Sequence, residues 1–137
     1  TELPQGGDIT VVMKFRQSAA LRIERPVMGL VLKNCEGDIV GNVNTHMTST
    51  CFEAPPDGDH EFRCTLASVP LLQGDYAIDL WLADGKTNLD VVENALRFHI
   101  ADSDVYGTGV SPYSRSGVIF LRPTWSVRNG PNDNGVA

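Results

Sequence analysis

The sequence predicts an all-β protein, an immunoglobulin-like antiparallel β-sandwich, on three observations. Apolar residues recur with period two in segment after segment, as they do when a strand buries one face and solvates the other. The segments are short and divided by clusters of Gly, Pro, Asn and Asp that mark turns. No long helical period competes with them, which leaves sheet packed on sheet as the architecture.

Seven strands are expected. "DITVVMKFR" (8–16) sets Ile9, Val11, Met13 and Phe15 on one face, and "PVMGLVLK" (26–33) sets Met28, Leu30 and Leu32. The tight-turn signal "NCEGD" leads into "DIVGNVNTH" (38–46), where Gly41 is a candidate bulge that would reverse the parity of the residues after it. "HEFRCTL" (60–66) alternates through Phe62, Cys64 and Leu66. "GDYAIDLWLADGKT" (74–87) puts Tyr76, Ile78, Leu80 and Leu82 on one side, and Asp79 and Trp81 on the other. "ALRFHI" (95–100) and "GVIFLR" (117–122) complete the set, while "NLDVVENA" between them reads as a turn or two of helix at most.

One stretch fixes which face is inward. "LLQGDYAID" resembles a tyrosine corner, in which a Tyr near the start of a strand bonds back to the preceding bend, so Tyr76 and Ile78 point to the core. In immunoglobulin order, residues 27–33, 39–46, 76–82 and 95–100 share one sheet. Its outer face then carries Asp79, Trp81, Arg97 and His99, with Asn42, Asn44 and His46 alongside.

The chain of 137 residues is the size of one domain, and 11 basic against 17 acidic side chains give a net charge of −6. That balance argues against nucleic acid or an anionic membrane surface, both of which are gripped by clustered Lys and Arg. No uncharged run approaches the roughly 18–20 residues of a membrane helix, and no signal peptide is evident. The Thr1-Glu2 start reads as that of a fragment from a longer protein. Cys35, Cys51 and Cys64 are odd in number and lack paired metal-ligand spacing, so they read as incidental or structural thiols in a reducing compartment, with no metal and no cofactor implied. Residues 1–127 are read as the domain, 101–117 as a long polar linker before the last strand, and 128–137 as a flexible tail.

"DGKT" (84–87) ends like a phosphate-binding loop, but Leu80 stands where that motif needs its first Gly, and the segment joins two strands; it reads as a turn. "DGDHE" offers Asp57, Asp59 and Glu61 without the rest of a calcium loop, so it reads as a solvated acidic loop. No nucleophile elbow or zinc-protease motif is present, and Asp79 lacks a convincing second carboxylate for glycoside hydrolysis, so no catalytic residues are assigned and an enzyme is not expected. The outer face remains. An aromatic ring packs against the C–H face of a sugar, while carboxylate, amide, imidazole and guanidinium groups read its hydroxyls. Trp81, Asp79, Arg97, His99 and Asn44 form the candidate carbohydrate site. Cover of Trp81 by a loop or a second copy of the chain is the open alternative, because an exposed large aromatic marks an interface of some kind.

The ordered series "RPVMGLVLKNCEGDIVGNVNT", "VPLLQGDYAIDLWLADG", "ALRFHIADSDVYGTG" and "GVIFLRPTW" resembles the C-terminal domain of Wzt, the ATP-hydrolysing subunit of bacterial ABC transporters that export O-antigen polysaccharide. The resemblance spans about residues 6–127. It implies a sandwich that binds the exported glycan on the cytoplasmic side, often at a modified chain terminus. It also implies a homodimer that exchanges the last strand, here 117–123. Further, it implies an ATPase domain ahead of Thr1, and through that domain a membrane permease partner and a peripheral place at the inner membrane. The linker carrying "VSPYSRS" is longer than the family leads one to expect. The five site residues come from strand parity alone.

Overall fold

The computed structural model describes residues 1–20, 22–113 and 117–128. Within them seven strands follow in order: β1 (Glu2–Pro4), β2 (Ile9–Gln17), β3 (Pro26–Asn34), β4 (Ile39–Asn44), β5 (Gly58–Leu66), β6 (Gly74–Asp84) and β7 (Thr87–Ala101). Five form a sheet in the order β1-β7-β6-β3-β4, and β2 and β5 form a second. Ile9, Val11, Leu30, Leu32, Val69, Leu71, Tyr76, Ile78, Phe98 and Ile100 make the core between them. The expected four-strand grouping on one sheet is therefore present. The tail read from 129 onward lies outside the described residues.

Tyr76 is the tyrosine corner: its hydroxyl donates to the Leu72 carbonyl at 2.7 Å, and its ring lies 5.9 Å from that of Phe98. Burial pushes its pKa up, which keeps the hydroxyl a donor. With Tyr76 and Ile78 inward, strict alternation along β6 sends Asp79 and Trp81 outward.

β4 has the anticipated bulge, one residue before Gly41, and parity reverses across it, so that Ile39 and Asn42 both face outward. Leu32 faces Gly41 and Lys33 faces Ile39, so Val40 is the extra residue and packs toward the core. Beyond the bulge the register is regular, with Asn42 opposite Val31 and Asn44 opposite Gly29, so both asparagines keep the outer face. "DGKT" is the two-residue turn of the β6–β7 hairpin: Asp84 faces Thr87, and Gly85 takes the first central position with φ 58°. The Asp84 carboxylate accepts the Glu24 and Arg25 backbone N–H groups at 3.3 and 2.9 Å.

Three elements differ from expectation. β1 runs parallel to the end of β7, Glu2 opposite His99, so the larger sheet is mixed rather than wholly antiparallel; a three-residue strand is too short to show alternation. "NLDVVENA" is strand, not helix. It belongs to β7, where pairing with β6 overrides local propensity. Its alternation is broken because Ile78 faces Leu96 while Leu80 faces Val92, which leaves Glu93, Asn94 and Ala95 opposite Asp79 alone, with Asn94 at φ 50°. That bulge scrambles the period-two signal. The 117–122 segment makes a single bridge, Ile119 to Leu71, supported by Leu72 N–H to the Val118 carbonyl and Phe120 N–H to the Pro70 carbonyl, both at 2.8 Å. Pro70, which has no N–H, and the entry into β6 just beyond Leu72 keep that pairing short.

Candidate functional site

The outer face of the five-stranded sheet is organised in rows, because each step of two residues along β6 returns to the same face and to new partners on β3 and β7. Trp81 faces Gly29 on one side and Val91 on the other, and Gly29 in turn faces Asn44. Asp79 faces Val31 and the β7 bulge, while Ala77 lies between Lys33 and Arg97. Asp75 faces His99. All five candidate residues thus share one face, spread over four consecutive rows.

Each is held differently. A Cβ at Gly29 would overlap Cε2, Cζ2 and Nε1 of Trp81, so the half-buried indole lies across the bare glycine backbone. Asn44 spends its side-chain oxygen on the Met47 N–H at 2.8 Å, closing the turn after β4. Asp79 Oδ1 accepts the Asn94 N–H at 2.7 Å and meets Lys33 Nζ at 2.9 Å, with its side chain 17% exposed. The Asn94 N–H chiefly holds the carboxyl below the usual range; Lys33 adds to that, and partial burial opposes it. Asp79 is therefore the clamp of the β7 bulge as well as a polar group on the face. His99 Nδ1 lies 2.8 Å from Asp75 Oδ1. The exposed Arg97 side chain has no hydrogen-bond or ionic partner among the described residues.

Below the Trp81 row the face sinks into an open groove of about 700 Å³, walled by Lys33, Asn94, Arg97, His99, Asp75 and the turn at Glu36, with Thr1 at its β1 side. Arg97 and His99 line it; Trp81 and Asn44 do not. Lys33, Asn94 and Asp75 belong to this surface and escaped the sequence reading. Lys33 was legible in principle, since it sits two residues beyond Val31 on the outward parity of β3. Asn94 was not, because the bulge hid its strand.

Two other concavities differ in chemistry. A cleft of about 280 Å³ opens between the sheets among Met13, Met28, Phe62, Cys64 and Leu80, and burial there pushes the Cys64 thiol pKa up. A shallow apolar groove of about 980 Å³ lies along the last segment, among Tyr106, Val110, Tyr113, Ile119, Leu121 and Trp125. Neither offers several charged groups to read hydroxyls, which the outer face does. Among the described residues no group of three or more His, Cys, Asp or Glu is placed to hold a metal ion, and no helix is long and apolar enough to cross a membrane.

These features define the class, an immunoglobulin-like β-sandwich domain whose larger sheet turns an open, polar face to solvent. The family model of the Wzt C-terminal domain matches residues 1–112, and the chain belongs to that family, that of a domain of an O-antigen ABC transporter ATPase. Among solved structures, a crystal structure of the C-terminal domain of wzt is similar in fold at a TM-score of 0.73 and 19% identity, covering 93% of this chain and 74% of that one. No curated protein matches the sequence.

Proposed function

We propose that this domain is a noncatalytic module that binds O-antigen polysaccharide on the outer face of its five-stranded sheet and presents it for export. The observation that carries the reading is the Trp81 indole packed over Gly29 on a sheet face that also bears Asp79, Asn44, Arg97 and His99. Family membership supports the transport setting. In that setting the domain works in the cytoplasm as a homodimer, held at the inner membrane through a parent ATPase that engages the permease. The apolar groove along the last segment, with Trp125 88% and Leu121 70% exposed, supports the dimer.

Covering about 100 Å² of one indole at roughly 25 cal/mol per Å² contributes about 2.5 kcal/mol, so with a few hydrogen bonds the isolated domain binds in the millimolar to micromolar range. Calorimetric titration with O-polysaccharide from the strain that encodes this chain tests the reading. Trp81→Ala should weaken binding about ten- to more than a hundredfold, a loss of roughly 1.5 to 3 kcal/mol. Unchanged binding by that variant, with dimerisation or stability lost instead, would make Trp81 structural cover.

A further inference from the structure

The candidate residues are too far apart along the sheet to serve one sugar. Antiparallel strands rise about 3.4 Å per residue, so the Ala77–Arg97 row lies roughly 14 Å from Trp81 and the Asp75–His99 row roughly 20 Å away. A hexose is about as long as one two-residue step of the strand. Between the two ends lies the Lys33–Asp79 pair, with both protein partners of Asp79 converging on Oδ1 and Asp79's charge compensated by Lys33. The guanidinium of Arg97, without a partner among the described residues, and the His99–Asp75 couple, by contrast, belong to the groove, whose walls do not include Trp81.

Resting on the glycan reading above, we infer that the outer face holds two subsites in line, an aromatic platform at Trp81 and a polar groove at Arg97 and His99, bridged by an extended glycan of three to four sugars running along β6. The Trp81 end supplies apolar contact with Asp79 and Asn44 at its edge. The groove end supplies hydrogen-bond donors from Arg97 and a donor–acceptor pair from His99 and Asp75. Mono- and disaccharides reach one end only, so length itself becomes a criterion of recognition. The same geometry requires the chain to run along the strands rather than across them, since crossing β3 and β4 leads from Trp81 to Asn44 and the sheet edge, away from the groove.

The test is titration of the whole 137-residue chain with size-fractionated fragments of one, two, four and six sugars from the same O-polysaccharide, by calorimetry and by amide chemical shifts. Affinity should rise at least tenfold between two and four sugars and then level off. Four-sugar fragments should shift resonances of both Trp81 and Arg97, and short fragments those of one end. Arg97→Ala, at an exposed side chain with no hydrogen-bond or ionic partner among the described residues, should weaken the four-sugar complex about tenfold, and Trp81→Phe should weaken it less than Trp81→Ala. Equal affinity for one and four sugars, or shifts confined to one end at every length, would overturn the two-subsite inference while leaving the glycan reading intact. Absence of binding at every length would overturn both.

Discussion

Gly29 and Trp81 are a matched pair across β3 and β6: the indole occupies the space a side chain at position 29 would take. A glycine inside a central strand is costly on propensity grounds, and here close approach by a neighbouring ring accounts for it. The pair makes Trp81 a fixed plane rather than a mobile surface residue, which is what a platform for a flat ligand needs.

Gly29→Ala should therefore displace the indole. The forced overlap is with a rigid ring, and overpacking of that kind costs about 1 to 3 kcal/mol. Urea denaturation should show the loss, and Trp81→Ala in the same chain should relieve most of it. Additive effects of the two substitutions would mean that they do not share this contact.

Asp79 gives a pH signature. Its folded-state pKa is depressed, so its contribution is complete above the unfolded value of about 3.9 and is lost as pH falls through the lower folded value. Asp79→Asn should cost about 1 to 3 kcal/mol near neutrality and progressively less as the wild-type group protonates below about pH 4. Denaturation curves across that range would check it. A variant penalty that stayed constant into acid would show that ionisation plays no part in holding the bulge.

Tyr76→Phe removes the hydroxyl that serves the Leu72 carbonyl and keeps the ring against Phe98. Leaving that buried acceptor without its donor should cost about 1 to 3 kcal/mol, read from the denaturation midpoint at unchanged slope.

Those residues also show what the sequence makes legible. Tyr76 could be read because a Gly-Asp-Tyr entry after an apolar pair has one strong structural use, and its inward parity carried Asp79 and Trp81 to the outer face with it. The shared sheet followed from immunoglobulin strand order, whereas the outward place of Asn44 depends on the register beyond the β4 bulge, which alternation alone does not fix. Period two, however, reports only which side of a sheet a residue takes, not how far along the strand it lies from another. Trp81, Arg97 and His99 consequently read as one cluster, whereas the register sets them two and three steps apart. The residues at 93–95 were illegible for a related reason: three against one at Asp79 removes the alternation by which a strand is recognised. Their anchor is a long-range hydrogen bond, which no local window contains.

Phe120 is 4% exposed, against 49% for Ile119 and 70% for Leu121, so one ring anchors the last segment. Phe120→Ala should cost about 3 to 5 kcal/mol, whichever copy of the chain supplies the ring. Deletion of residues 117–137 should uncover Leu71, Leu72 and the Tyr76 corner, and cause aggregation or unfolding in light scattering and circular dichroism. A truncated chain that stayed monomeric and folded would contradict a structural role for that segment.

The parallel pairing of β1 with the end of β7 joins the first and last strands through three residue pairs and the His99 N–H bonded to the Thr1 carbonyl at 2.8 Å. Contacts of such long sequence separation carry a large closure entropy and form late, and a three-residue edge strand frays first. One wall of the polar groove is therefore the piece of the sandwich with the least local protection. It can open and close without breaking the pairing of Ile78 with β3 and β7, so the His99 amide should exchange its hydrogen for deuterium sooner than the Phe98 and Ile78 amides, and exchange should slow when a ligand seats beside it.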